Sequence, residues 1–566
     1  MVKKKIKKKP KLTPEDKIKL KHIDEIRKIF ERSGFKRAYT VADKEFTYHG
    51  TTSDFDDVFI YENILIFTEY TTTATSNLSG HLKKKVFLYN KILEETHEFI
   101  EFFDSKFASF KGFRNDIYST HQCNVVILYC PLNEISDSLK AEIPQIKYFE
   151  YSTIEYFKSL TLAIKLSSRF ELYNFFGIDF KRIGNNILGR SSVSKHVYEG
   201  SILPESFSNY SKGYKIVSFY IDPKSLLERS YVLRKDAWND ETGLYQRMIM
   251  SKKINSIRNY LNDSGRVFIN NIIVTLAETT KILDKDENTV DPSKINETKA
   301  VGIQLPAGMN TIGLIDGQHR VYSYHEGGQF DDVISKLRVT QNLLVTGIIY
   351  PHNVSKLDKI RFESKLFLEI NSNQANAASG LKQAIGVLIN PFLADSIGIS
   401  IISKLNNSGV LRDKFERNFY DKNKLKTASI VSFGLRPLVK LKGEDSLFKT
   451  WLNLEKEQLI QKDNTALLQE YIEFCHLELN IWFSAVQESV GHSRWTINKS
   501  VENRILNATI INGLLICFRN IILNGTLLDK DGYISKMKKI DSFPFKDYKS
   551  SQYSRLGIAL FDKFFK

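Results

Sequence analysis

Thr311-Ile312-Gly313-Leu314-Ile315-Asp316-Gly317-Gln318-His319-Arg320 sets an apolar run directly against a five-residue polar cluster. The apolar half predicts a buried strand, and a helix is expected from about His319 to Glu326, stopped by Gly327-Gly328. That junction puts His319 and Arg320, both able to carry positive charge, in the first helical turn, where the partial positive charge of the backbone disfavours them. An anion would resolve the conflict. In one reading it is a phosphate at the helix N-terminus, with Gly317 allowing close backbone approach and Arg320 giving a bidentate grip. In the other it is internal: Asp316 caps the turn and pairs with Arg320, and His319 is half buried.

Around this stretch, composition sets the outer limits. The 566 residues exceed what one core serves, so two to four domains are expected. With 42% hydrophobic and 26% charged residues the chain reads as globular. Cys123, Cys130, Cys475 and Cys517 are scattered in apolar contexts, which predicts reduced core thiols and a cytoplasmic protein. No cysteine/histidine cluster has zinc spacing, and no phosphate loop of the Walker type or Gly-x-Ser-x-Gly elbow is present. The most apolar C-terminal run, Ile510 to Leu523, is too short to span a bilayer, and lysine-rich Met1–Lys11 lacks the apolar core of a secretory signal. A formal charge of +16 points to a polyanionic partner, nucleic acid first. Seven of those charges, Lys3, Lys4, Lys5, Lys7, Lys8, Lys9 and Lys11, crowd into one tail, so the remainder of the chain is only modestly basic.

The Asp316–Arg320 motif with its preceding strand resembles the DGQHR-domain family. That family includes the B component of DNA phosphorothioation systems and looks like a branch of the ParB/sulfiredoxin superfamily, whose members bind nucleoside triphosphates. The resemblance covers about residues 240–385. It includes Tyr245-Gln246-Arg247, which opens an amphipathic stretch through Ile254, Ile257 and Leu261, and the strand Asn270–Val274. It also includes Phe367-Leu368-Glu369-Ile370-Asn371-Ser372-Asn373-Gln374, after the strand Leu343–Ile349. The resemblance implies a nucleoside triphosphate, ATP foremost, with Mg2+. Arg320, His319 and Gly317 would bind phosphate, Gln318 would orient water or a ribose or phosphate oxygen, and Asp316 would fix the loop. Gln246 and Arg247 would add a second clamp, and Glu369 or Asn371 would contact the metal. Read from residue types alone, Asn371 and Asn373 equally fit side-chain turns after a helix.

A second constellation lies near the N-terminus. A helical pattern from Pro14 to Ser33 precedes two apolar strands, Asp57–Tyr61 and Ile64–Thr71, turned at Glu62-Asn63. Then come a helix from Ser79 to Phe103, a strand Val125–Tyr129, the segment Lys147–Tyr151 and a helix from about Thr153. This order resembles the restriction-endonuclease-like (PD-(D/E)xK) fold. The resemblance implies that Asp56 and Glu69 hold a metal ion. Thr71 stands where that family carries its lysine, and Lys83, Lys84 or Lys85, on the next helix near His81, is expected to supply the charge, with Lys84 the leading candidate. The alternative is a nuclease-like domain that only binds DNA or a partner.

The expected organisation is α/β and α+β multidomain: a basic tail (1–12), a restriction-endonuclease-like α/β domain (13–180), a connector rich in Gly, Ser and Asn (181–214), a ParB-like α+β nucleotide-binding domain (215–385) and a mainly helical domain (386–566). In the last, Arg412–Lys426 mixes basic residues with Phe415, Phe419 and Tyr420, and reads as an amphipathic helix or a nucleic-acid face. The resemblances together imply a bacterial DNA-modification or phage-defence protein that hydrolyses a nucleoside triphosphate coupled to DNA, with other subunits as partners. Two alternatives stand beside it, a non-catalytic DNA-binding regulator and a metal-dependent DNA nuclease with a DGQHR sensor.

Overall fold

In a computed structural model, residues 13–73, 75–190, 196–232, 248–372, 385–417, 421, 423–462, 464–525 and 527–566 are described. The architecture is mixed α/β, and among the described residues no helix is long and apolar enough to cross a membrane. The chain divides into two compact units, the first running to Val354 and the second built from Ser355 onward.

The first unit opens with helix α1 (Pro14–Arg32), started by a Thr13/Asp16 capping box with Pro14 at its first position. Strands β1 (Lys36–Arg37), β2 (Asp57–Tyr61) and β3 (Ile64–Thr71) follow, then helices α2 (Thr75–Glu94) and α3 (Thr96–Lys106). Strand β4 (Asn124–Pro131), strand β5 (Lys147–Tyr148) and helix α4 (Tyr151–Ile164) complete this half. The five strands form one sheet in order β1-β2-β3-β4-β5. Strands β1, β2 and β3 pair antiparallel, and β3, β4 and β5 pair parallel. Alternation along β3 sends Ile64, Ile66 and Tyr70 into the core that holds Ile26, Phe30 and Phe157, and sends Leu65 and Phe67 into a second core under α2 and α3.

An eight-stranded mixed sheet makes up the rest of the unit. Its strands are β6 (Val197–Leu203), β7 (Lys215–Ile221), β8 (Ser230–Tyr231), β9 (Ile272–Leu276), β10 (Lys281–Leu283), β11 (Lys299–Gln304), β12 (Ile312–Asp316) and β13 (Leu343–Ile349), in the order β8-β12-β9-β13-β7-β6-β11-β10. Helix α5 (Ser251–Ser264) precedes β9, the five-residue helix α6 (Gln318–Tyr322) follows β12, and α7 (Asp331–Thr340) leads into β13.

Two expectations are corrected here. The stretch 181–214 is not a connector, because its centre is β6, paired with β7 and β11 inside the large sheet. Its glycine marks tight packing: a Cβ at Gly200 would lie 2.3 Å from the Ser218 carbonyl oxygen and 2.7 Å from Ile303. The boundary near 180 dissolves for the same reason, since one continuous apolar core joins Phe30, Phe59 and Phe157 to Val217, Val274 and Ile312. The loop after α6 adds polar ties across it, with Arg169 bonded to Glu326 at 2.7 Å and the Ser167 hydroxyl accepting from the Glu326 N–H.

The second unit is helical, with α8 (Lys356–Ser372), α9 (Ala394–Asn407), α10 (Thr465–Val490), α11 (Ala508–Asn524) and α12 (Tyr553–Phe564) as its longest elements among the described residues. Arg412–Lys426 is not an amphipathic helix there. Asp413 turns with positive φ, and buried Phe415 pairs with Leu425 in an isolated bridge. Phe419, Tyr420 and Lys422 lie outside the described residues.

Candidate functional site

The strands β2 and β3 position one cluster of ionisable groups. Neighbouring residues on a strand face opposite ways, and here that separates two adjacent aspartates. Asp57, fully buried, faces α1: Arg27 holds it at 2.6 Å, Arg37 pairs with it, and the Tyr70 hydroxyl donates to it at 2.9 Å. Asp56 starts the hairpin from the other side, its N–H donating to the Thr68 carbonyl and its carboxylate accepting from the Tyr70 N–H at 2.6 Å. Glu69 follows the same alternation as Leu65 and Phe67, opposite Tyr129 of β4 in the parallel register.

The lysine comes from α2. Leu78, Leu82, Lys85, Tyr89 and Ile92 recur at helical spacing, and the four apolar members are buried. Lys85 therefore points the way the apolar stripe points. Its ammonium lies 2.6 Å from Glu69 and 3.7 Å from Asp54. Lys84, the leading candidate by sequence, is exposed, because it falls off that stripe. Lys83 is also exposed and pairs with Glu142 at 2.9 Å. His81, one turn earlier, reaches to 3.8 Å from Glu69 and shares a 2.9 Å hydrogen bond with the Tyr129 hydroxyl. The missed signal was the phase of Lys85 within the stripe.

Burial is the main influence on both carboxyls. It pushes Asp56 up to about 6, with the Tyr70 N–H opposing and the negative charges of Asp43 and Asp54 adding to the rise. It pushes Glu69 up to about 7 against the attraction of Lys85. His81 is shifted down by burial and by the charges of Lys85 and Lys84, which favours its neutral form. Beneath the cluster, the buried Tyr89 hydroxyl has no hydrogen-bond partner among the described residues. Two desolvated carboxylates at one strand end form an unfavourable negative pair that a divalent cation would relieve. Among the described residues no group of three or more His, Cys, Asp and Glu is arranged to hold a metal. Magnesium characteristically uses one or two carboxylates and takes the rest of its shell from water and phosphate, which Asp56 and Glu69 fit.

The turn after β12 has a different character. Gly317 adopts φ of +99°, and a Cβ there would lie 2.6 Å from Ile272 and 3.2 Å from the Arg320 guanidinium. Arg320 bonds Asp316 at 2.7 Å. The backbone N–H of Met250 donates to His319 Nε2 at 3.1 Å, which makes that nitrogen an unprotonated acceptor. The conflict between cations and the helix start is thus met internally, by a paired arginine and an imidazole used as an acceptor. Gln318 is buried, whereas Asp316, His319 and Arg320 are half-buried. The helix is shorter than expected because two buried arginines seize its end. Arg258 donates to the carbonyls of Ser323, His325 and Gln329, and Arg338 to those of Tyr324 and His325.

Gln246 and Arg247 lie outside the described residues, as do Asn373 and Gln374. Glu369 and Asn371 belong to α8 in the second unit, and the Asn371 amide donates to the Phe367 carbonyl of its own helix at 2.9 Å. Comparison with protein-family models, with curated proteins and with solved structures returns no match for this chain.

Proposed function

We propose that this protein is a metal-dependent nuclease that hydrolyses phosphodiester bonds in DNA at the Asp56/Glu69/Lys85 cluster. The reading rests on one observation: a buried and a half-buried carboxyl, both of raised pKa, and a lysine from the following helix converge at the open end of the β2–β3 hairpin. The strand order, an antiparallel hairpin continued by parallel β4 and flanked by α1 and α2, supports a restriction-endonuclease-like fold with its lysine moved from the Thr71 position to α2. Asp56 and Glu69 would hold a divalent ion, Mg2+ or Mn2+, which supplies charge neutralisation and a more acidic water. Lys85 would set its ammonium against the phosphate or the attacking water, and its present bond to Glu69 keeps it oriented. His81, tied to Tyr129, lies within reach as a neutral acceptor of a proton.

Nucleoside triphosphate binding at the Asp316–Arg320 turn is a second reading, favoured by the left-handed Gly317 and by the partial exposure of His319 and Arg320. There a phosphate would have to compete with Asp316 for the guanidinium. Incubating the full-length protein with Mg2+ or Mn2+, plasmid DNA, and ATP, CTP or GTP tests both. Nicking that requires Asp56 and Glu69 supports the nuclease. Nucleotide hydrolysis lost in Arg320→Ala supports the second reading, and neither product leaves a DNA-binding subunit.

A further inference from the structure

The second unit contains a cleft that plays no part in the reading above. It is an open cavity of about 470 Å3, bounded by a π-turn at Ile430–Leu435, by α11 and by the start of α12. Single π-turns within helices gather at functional positions. Here the turn carries Phe433, whose ring stacks on Tyr553 with centroids 5.2 Å apart and planes 29° apart. Phe433 is nonetheless 47% exposed, so aromatic surface is presented to solvent.

Three cations line the same cleft, Arg436, Lys440 and Arg519. Lys440 and Arg519 share one carboxylate, Asp445, at 2.8 and 2.7 Å, and Arg436 is tied only loosely to Asp395 at 3.9 Å. Two carboxylates therefore anchor three cations, leaving positive charge and guanidinium N–H groups over. Helix α12 begins at the cleft with Tyr553 and Ser554, and no side chain caps its first turn, because the Gln552 amide oxygen accepts instead from the Lys549 N–H. Exposed aromatic surface attracts a flat base, and surplus guanidinium and uncapped helix N–H groups both attract a phosphate, the two parts of one ligand class.

We propose that this cleft binds a nucleotide, with its base stacked on Phe433 and its phosphate among Arg436, Arg519 and the first turn of α12. The cavity is of the size that receives small ligands of this kind. A lone inorganic anion would leave the aromatic face unused, and an apolar ligand would leave the cations unsatisfied. The nucleotide is either free or the end of a single strand, and the two share this chemistry. The cleft shares no residue with the nuclease cluster or with the Asp316–Arg320 turn.

The test measures binding of AMP, ATP, adenosine, inorganic phosphate and a 5′-phosphorylated single-stranded thymidine octamer to the full-length protein, by titration calorimetry at low salt. Phe433→Ala and Arg436→Gln, both on exposed side chains, are compared with the wild type, and thermal melting checks their folding. We expect AMP, ATP or the octamer to bind, adenosine and phosphate to bind at least about tenfold more weakly, and each variant to lose at least about fivefold in affinity. Comparable affinity for AMP and octamer identifies a free nucleotide as the ligand; markedly tighter octamer binding identifies a strand end. If Phe433→Ala does not fold, Arg436→Gln decides. Absence of binding, equal binding of adenosine or phosphate, or wild-type affinity in a folded variant overturns the proposal. Loss of binding in Arg320→Ala alone would assign the nucleotide to the other turn and overturn it as well.

Discussion

At the Asp316–Arg320 turn the aspartate and the arginine neutralise each other, whereas at the end of the β2–β3 hairpin Asp54 and Glu69 share the ammonium of Lys85 and the carboxylate of Asp56 is met by the Tyr70 N–H. Both places end a buried strand, both are rich in charge, and both lie in the same compact unit. One has its electrostatics closed by its own residues and its backbone locked by Arg258 and Arg338. The other keeps two carboxyls in a desolvated setting that raises their pKa, the condition under which an added cation gains most. Charge that is left unbalanced indicates chemistry better than charge that is merely abundant.

The contrast breaks most sharply in a cleavage assay with Mn2+. Asp56→Asn and Glu69→Gln, which keep shape and remove charge, should each lower the rate by ~10³-fold, and Lys85→Ala by ~10²-fold or more. Lys84→Ala should stay within about twofold of wild type, since its side chain is exposed and off the stripe. Equal loss in Lys84→Ala and Lys85→Ala would sink the assignment of the lysine. Activity retained in Asp56→Asn would remove the nuclease reading altogether.

The turn should answer instead in stability. Gly317→Ala would force an L-residue into left-handed backbone and drive its Cβ into Ile272, a cost of about 2–4 kcal/mol read by denaturant unfolding of the full chain. Arg258→Met should cost about 3 kcal/mol, since it strands the buried carbonyl of Ser323, removes the bonds to the Gln329 carbonyl and leaves that of His325 to Arg338 alone. A Gly317→Ala variant as stable as wild type would mean that the turn is looser than its geometry, reopening it to a ligand.

What sequence reading could reach follows from how each site is built. The helix from Pro14, the hairpin turned at Glu62-Asn63 and the strand ending at Asp316 are local patterns, each visible in a dozen residues. Asp56 and Glu69 were legible because a hairpin places them by register alone. Lys85 was half legible: three consecutive lysines offered candidates, and only the phase of Leu78, Leu82 and Tyr89 chooses among them. The locking of α6 was not legible, since Arg258 comes from a helix some 60 residues upstream. Nor was β6, whose Gly200 reads as flexibility in a chain and acts as close packing in a sheet. The internal resolution of the Asp316–Arg320 charges is only one of two open readings in the sequence, because residue types alone do not say whether an arginine's partner is inside the chain.

The smallest effect discriminates between the two regions most directly, because it concerns the same carboxyl groups without any substrate. Asp56 and Glu69 have raised pKa values in the fold, so the stability they contribute is present while they are protonated and is lost as pH rises from about 4 to 7. Relative to wild type, Asp56→Asn and Glu69→Gln should therefore gain about 1–3 kcal/mol at pH 8, a few degrees in Tm, with the gain vanishing near pH 4. Mg2+ or Mn2+ should recover that stability in the wild type and not in the variants, since binding to the folded state alone stabilises it. If the variants are instead the less stable proteins at pH 8, the carboxylates serve Lys85 as structural partners. The hairpin end would then be a closed charge pair of the same kind as Asp316 and Arg320.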